Sequence, residues 1–165
     1  MTIQPNDTGS IRELKGQLVF LGTGTSVGVP IVGCRCATCT SGDPRNQRTR
    51  TSVALGLPGG TLLIDTTPDL RSQLLRERIG SVQAILYTHD HVDHVYGLDD
   101  IRPICYRSGG PVPVYCEERV ERRIRRAFDY AFEPMPVPGG GVPKITFERI
   151  TTAPFNLLGA RAIPL

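Results

Sequence analysis

The chain has 165 residues, 39% hydrophobic and 21% charged, enough apolar material for one domain with a core and far from the balance of a disordered chain. A formal charge of +3 is too small to argue for a nucleic-acid partner without a clustered basic patch, although it leaves anionic substrates open. No stretch reaches the length of a membrane span and the N-terminus carries no apolar h-region, so a soluble, cytoplasmic protein with no membrane partner is expected.

Residues 1–16 read as a polar lead (Pro5, Asn6, Asp7, Arg12, Glu13 and Lys15) and residues 17–165 as one domain. Gln17–Leu21 is a short apolar run that ends in Gly22-Thr23-Gly24-Thr25-Ser26-Val27-Gly28-Val29-Pro30. A strand followed by glycines invites a dinucleotide-binding reading, but that fingerprint needs a helix opening on the last glycine. Pro30, Gly33 and a set of cysteines stand there instead. Two readings remain: a loop whose backbone N–H groups approach a phosphate, with Thr23 and Gly24 as candidate contacts, or a sharp turn that needs positive φ.

Cys34, Cys36 and Cys39 follow. Three thiolates this close can occupy three corners of a tetrahedral zinc site, with the fourth ligand from elsewhere; buried or redox cysteines are the alternative. The five cysteines are an odd count, which suits a reducing compartment better than a disulfide framework. In the polar loop Thr40–Arg50, the arginines Arg45, Arg48 and Arg50 either steer an anion or are simply solvated.

Thr51–Leu57 and Thr61–Thr66 read as strands joined by Pro58-Gly59-Gly60, a hairpin signal. Thr67-Pro68-Asp69 is a helix start, with a cap, a proline at the first helical position and an acid in the first turn. Leu70, Leu74, Leu75 and Ile79 fall on one face, and Gly80 is the expected stop. A strand over Gln83–Thr88 follows at once, so the order is strand, helix, strand, the α/β pattern.

Thr88–His94 reads Thr-His-Asp-His-Val-Asp-His and holds all of the chain's 3 histidines. Imidazole and carboxylate together suit a borderline divalent ion such as zinc, manganese or iron, and the C-terminal end of a strand is where α/β sheets place their ligand sites. A solvated loop or a helix cap would account for a lone histidine, not for His89, His91 and His94 at this spacing with Asp90 and Asp93 between them.

Beyond it, Val112–Cys116 is another strand. Glu117–Phe132 is an amphipathic helix with Val120, Ile124, Phe128 and Ala131 inward and Arg119, Arg122, Arg123 and Arg126 on a solvated face. Glu133–Pro143 is a proline- and glycine-rich loop. Lys144–Ile150 and Phe155–Leu165 read as two strands of a second sheet.

His89-x-His91-x-Asp93-His94 after a strand ending in Thr88 resembles the signature of the metallo-β-lactamase superfamily of dinuclear metallohydrolases. The resemblance implies an αββα sandwich of which residues 17–165 supply the N-terminal half, with two divalent metals, Zn or Mn. It places His89 and His91 on one metal and Asp93 and His94 on the other, Asp93 being the catalytic candidate as a ligand rather than a free base. It also gives Asp65 the task of supporting the metal-binding turn from behind, against the plainer reading of a turn cap.

Leu21–Ser26, then Gly28-Val29-Pro30, then Gly33-Cys34-x-Cys36-x-x-Cys39, is similar to the opening of the phosphoribosyl cyclic phosphodiesterases of phosphonate degradation. That likeness implies a structural zinc on Cys34, Cys36, Cys39 and a distant histidine. It also implies a small-molecule substrate, a cyclic phosphodiester of ribose opened by a hydroxide shared between two metals. A Gly-hydrophobic-x-x-hydrophobic-Arg segment is common here in the family; Arg102 of Gly97–Arg102 either meets a substrate phosphate or pairs with Asp99 or Asp100. Two rivals stand beside this. A transfer-RNA 3′-processing nuclease carries the same signature, but needs a basic flexible arm for RNA. A non-catalytic metal-binding or carrier module would resemble the pyrroloquinoline-quinone biosynthesis protein, whose catalytic motif is degraded where this one is intact.

Each catalytic metal finds two ligands in the chain and the structural zinc three, fewer than zinc chemistry ordinarily needs. No histidine follows His94. All deficits point to one C-terminal region, so the chain is expected to be the first half of a longer protein. Its exposed sheet edge and face would favour association, a homodimer included.

Overall fold

Six short strands pair into one mixed sheet in the computed structural model, which describes residues 11–132 and 141–164. The strands β1 (Leu18–Gly22), β2 (Ser52–Leu57) and β3 (Gly60–Ile64) run antiparallel to one another, the last two as the hairpin expected at Pro58-Gly59. From β3 the sheet turns parallel through β4 (Ala84–Leu86), β5 (Val112–Cys116) and β6 (Ile145–Arg149). Parallel neighbours need crossovers. These contain α1 (Leu70–Arg76), then α2 (Val92–Val95) with α3 (Arg102–Ser108), then α4 (Glu118–Ala127).

The period-two alternation of the strands sorts their side chains between two faces. One face carries the main core, in which Leu21, Leu63, Leu70, Ile85, Val114 and Ile124 pack together. The other carries a smaller cluster around Leu62, Ala84 and Leu157, with Leu55, Ile64, Leu86 and Tyr115 against it. Leu157 arrives on a separate hairpin, β7 (Phe155–Leu157) and β8 (Ala160–Ala162). Its turn residues Leu158 and Gly159 both have positive φ, the primed geometry that matches strand twist.

Several expectations are corrected. Lys144–Ile150 does not belong to a second sheet: Ile145–Arg149 is the edge strand of the main one, and the second sheet is the β7–β8 hairpin formed within Phe155–Leu165. The long helix expected over Glu117–Phe132 stops at Ala127 and continues as a 3-10 turn over Asp129–Ala131. Leu14, in the polar lead, is buried. Residues 1–10, the greater part of the expected loop Glu133–Pro143, and Leu165 lie outside the described residues.

Helix α1 opens later than its cap suggests. Thr67 Oγ1 accepts from the Asp69 amide at 2.9 Å, and this turn delays the first helical residue to Leu70. Gln73, not Leu75, then shares the buried face with Leu70 and Leu74, while Leu75 is 62% exposed. Gln73 donates to Thr49 Oγ1 at 3.0 Å and to the Arg50 carbonyl at 2.8 Å. The chain reverses at Arg78, with φ 57°, rather than at Gly80. Leu75→Ala is therefore expected to move stability by no more than about 0.5 kcal/mol in urea unfolding, as a surface substitution, whereas Leu74→Ala costs about 2 kcal/mol or more.

Glu121, buried on α4, receives Arg125 at 2.8 Å and Arg149 at 2.6 Å, joining α4 to β6. The Arg149 hydrogen bond, against burial, holds its carboxyl below the ordinary range. A lowered carboxylate stabilises above its unfolded pKa and ceases to as pH falls through the folded one. Urea midpoints of Glu121→Gln should accordingly fall less between neutral and acid pH than those of the parent. Among the described residues no helix is long and apolar enough to cross a membrane.

Candidate metal centre

The histidine motif leaves the sheet where β4 ends. Tyr87 still donates to Tyr115 O at 3.0 Å; the chain then turns, and His91 precedes α2 with extended backbone, φ −72° and ψ 153°. The end of β3 grips the same segment. The Thr66 amide donates to His94 O at 2.7 Å, and Gly97 N donates to Thr66 O at 2.9 Å. A Cβ on Gly97 would fall 1.9 Å from Thr67 O, so only glycine permits this approach of two backbones.

Asp65 is the hub of the motif. It is 3% exposed and has φ 62°, a left-handed conformation that Asp tolerates better than most residues. Its Oδ1 accepts the Thr88 amide at 2.9 Å; its Oδ2 accepts Thr88 Oγ1 at 2.7 Å and His94 Nδ1 at 2.7 Å. A carboxylate accepts and does not donate, so Nδ1 of His94 carries the hydrogen, and in the neutral ring it is Nε2 that has the lone pair. The same logic runs one residue further. Thr88 spends its hydroxyl proton on Asp65, so at 2.9 Å from His89 Nδ1 it accepts, and in the neutral ring of His89 the lone pair is again on Nε2. One buried carboxylate thereby fixes the tautomers of two histidines, the outer support that metal-binding imidazoles require.

His94 Nε2 lies 3.3 Å from Asp93 Oδ2. A ring nitrogen with a lone pair and a carboxylate oxygen are both acceptors, so this approach calls for a proton or a cation between them. The rings of His89 and His94 are 3.9 Å apart between centroids, and those of His89 and His91 4.7 Å. The structure thus brings the rings of His89, His91 and His94 and the Asp93 carboxylate into pairwise contact, but it does not draw three of their ligand atoms within 4.8 Å of one another; among the described residues only the cysteines meet that test. Asp90 turns away from the histidines. It accepts from Arg119 at 3.3 Å and lies 3.7 Å from Arg123; burial pushes its carboxyl up, but the two arginines hold it below the ordinary range.

The cysteines converge as well. Sγ atoms of Cys34, Cys36 and Cys39 all lie within 4.8 Å of one another. Ile31 N donates to Cys39 Sγ at 3.3 Å, and the Cys39 backbone N–H, followed by the neighbouring thiols, brings Cys36 down to about 7. Cys36 is thereby poised to supply a thiolate of the kind a tetrahedral zinc needs.

Other candidates are placed differently. Gly24 N is taken by Thr49 O at 2.7 Å, and a Cβ there would meet Arg48 O at 2.5 Å. This glycine serves close backbone packing; its N–H does not face a phosphate, while Thr23 beside it is exposed. Arg102 pairs with Asp99 at 2.9 Å and donates to Gly141 O at 2.7 Å. It lines a groove with Leu74, Leu75 and Pro103, not the cleft of about 210 Å³ that holds Thr88, His89 and His91. Arg45 pairs with Asp43, Arg50 with Asp69, and Arg48 Nε binds Arg45 O. Two contributors escaped sequence reasoning: the Thr88 hydroxyl, which signals nothing alone, and the pairing of Asp90 with the arginine stripe, whose i, i+4 spacing is the one sign of it.

A family model described as a Beta-lactamase superfamily domain matches residues 61–164. An octanoyltransferase of Porphyromonas gingivalis is 43% identical over 148 residues, covering 89% of this chain and 30% of that protein. The crystal structure of a diphosphatase from the PhnP family is similar at 43% identity and a TM-score of 0.77, with 87% of this chain and 54% of that one covered. That of Zn(2+)-bound PqqB from Methylobacterium extorquens is similar at 28% identity and a TM-score of 0.64, covering 84% and 50%. The chain therefore spans about half the length of these two solved relatives and less than a third of the octanoyltransferase.

Proposed function

The chain belongs to the metallo-β-lactamase superfamily, and on that premise we propose that it carries the first half of the active centre of a metal-dependent phosphodiesterase, acting on a small-molecule cyclic phosphodiester of a phosphoribosyl group. One observation carries this reading: Asp65 fixes His94 and, through Thr88, His89 with their Nε2 atoms free, beside Asp93. His89 and His91 would hold one divalent ion, Asp93 and His94 a second, and Cys34, Cys36 and Cys39 a structural zinc. The remaining ligands would come from outside these 165 residues. Divalent ions bound there supply Lewis acidity, lowering the pKa of water and neutralising phosphoryl charge. The chain's own contribution is orientation. Asp65 and Thr88 hold the imidazole planes, and Asp93 faces the site as a ligand, so it is not available as a general base. The likeness to the PhnP-family diphosphatase supports hydrolysis at phosphorus.

The test is elemental analysis of the purified protein beside hydrolysis of bis(p-nitrophenyl) phosphate with added manganese or zinc. Bound divalent metal with turnover is the expected result. Bound metal without turnover on any phosphodiester would sink the enzyme reading in favour of a metal-binding module. In the same analysis Cys36→Ser is expected to lower bound zinc by about one equivalent and to leave the hydrolysis rate of the folded protein in place.

A further inference from the structure

The cysteine loop is the cluster whose chemistry the proposed reaction leaves unused. None of residues 31–40 is buried, so this segment has no apolar core of its own. Its order rests on turn hydrogen bonds, Cys34 N to Ile31 O at 3.0 Å and Thr40 N to Cys36 O at 3.0 Å, and on what its sulfurs bond to, as in other small elements without a core. Cys36 and Cys39 stand in the Cys-x-x-Cys spacing of dithiol redox pairs. The turn between them is closed twice at Cys36 O, by the Thr40 amide and by Thr40 Oγ1 at 2.9 Å. Their Sγ atoms lie within 4.8 Å of each other, and a disulfide places them about 2 Å apart, so little movement is needed to join them. Access is selective. Cys36 is exposed, Cys34 and Cys39 are half-buried, and Cys105 and Cys116 are buried, so an oxidant arriving from solvent meets Cys36 first.

We propose that Cys36 and Cys39 form a reversible thiol–disulfide pair, oxidised by a peroxide, and that the loop holds zinc only while this pair is reduced. The inference rests on the zinc reading of these cysteines and goes beyond it, and it is independent of the phosphodiesterase reading. In the first step the Cys36 sulfur attacks one peroxide oxygen; an S–O bond forms, the O–O bond breaks and hydroxide leaves. The Cys39 sulfur then attacks that of Cys36; the S–S bond forms, the S–O bond breaks and a second hydroxide leaves. The two sulfurs lose two electrons to the peroxide, and each hydroxide takes up a proton to become water. Only Cys34 is then left as a thiolate, too few ligands for a tetrahedral zinc site.

Hydrogen peroxide added to the purified protein tests this, with zinc release followed by a chromophoric chelator and the sulfurs mapped by peptide mass without reductant. The expected result is release of about one equivalent of zinc, a Cys36–Cys39 bridge, and recovery of both thiols and of zinc binding after dithiothreitol and fresh zinc. Cys34→Ser removes a zinc ligand but keeps the pair, and it should form the same bridge. Zinc that stays bound beside the bridge would overturn the proposal, as would zinc lost while Cys36 passes to the sulfinic acid without a bridge, or thiols that stay reduced in both proteins. Zinc content before oxidation is read separately. A protein that carries no zinc in its reduced form would sink the zinc reading, while a reversible Cys36–Cys39 bridge in that protein would still establish the pair.

Discussion

His91→Ala is expected to remove phosphodiester hydrolysis almost completely while leaving the unfolding midpoint where it was. The two halves of this expectation have different origins. His91 is exposed, precedes α2 without a side-chain capping bond, and packs its ring against that of His89. Its structural work is done by the backbone, since His91 O accepts the amides of His94 at 3.0 Å and Val95 at 3.2 Å. Alanine keeps that carbonyl, so stability should stay within about 0.5 kcal/mol of the parent. The imidazole itself makes no capping bond, and ligation is the task proposed for it. Losing a partner that merely orients a ligand typically costs about 10–100-fold, and loss of the ligand should exceed that. Steady-state hydrolysis and urea unfolding on one preparation check both halves. Retained turnover would remove His91 from the centre, and a collapsed midpoint would make it a structural residue.

The candidate centre could be read from the sequence where its parts are local. Three histidines and two aspartates between His89 and His94 needed only their spacing, and the three cysteines likewise. The strand, helix, strand order around them followed from apolar runs and turn residues. What stayed hidden depends on residues distant in sequence. Asp65, Thr88 and His94 form one hydrogen-bonded unit, yet which donors reach the carboxylate is decided by the parallel pairing of β3 with β4. Ile145 and Phe147 alternate as a half-buried strand should, but alternation does not say which sheet receives them. In α1 a delay of the helix start was enough to exchange Leu75 for Gln73 on the inner face, because over two turns the 3.6-residue period tolerates little error. The sequence leaves Gly24 and Arg102 open, each with a phosphate contact beside a structural reading. The fold takes the structural reading of each, close backbone packing at Gly24 and the pair with Asp99 at Arg102.

Asp65→Asn isolates the chemistry of the hub, and a large double effect is expected of it. Asparagine has nearly the shape of aspartate and also tolerates the left-handed backbone, so the φ of 62° is not what changes. What changes is the number of acceptors. The carboxylate receives the Thr88 amide on Oδ1 and both Thr88 Oγ1 and His94 Nδ1 on Oδ2. An amide offers one oxygen and one NH₂, so in either flip at least one part-buried donor meets another donor. The cost of one such unsatisfied group is about 1–3 kcal/mol, to be read in the urea midpoint. The second effect falls on the metals. If the NH₂ faces Thr88 Oγ1 and His94 Nδ1, His94 loses its acceptor, the proton is free to move to Nε2, and the relay through Thr88 to His89 is broken. If it faces the Thr88 amide, the turn before His89 must shift. Metal affinity should fall about 10–100-fold, measurable by competition with a chromophoric chelator. Asp65→Ala, which adds the cost of a left-handed alanine to the loss of all three bonds, should be worse on both counts. A protein in which Asp65→Asn binds metal as tightly as the parent while losing stability would show that Asp65 is a turn cap and nothing more.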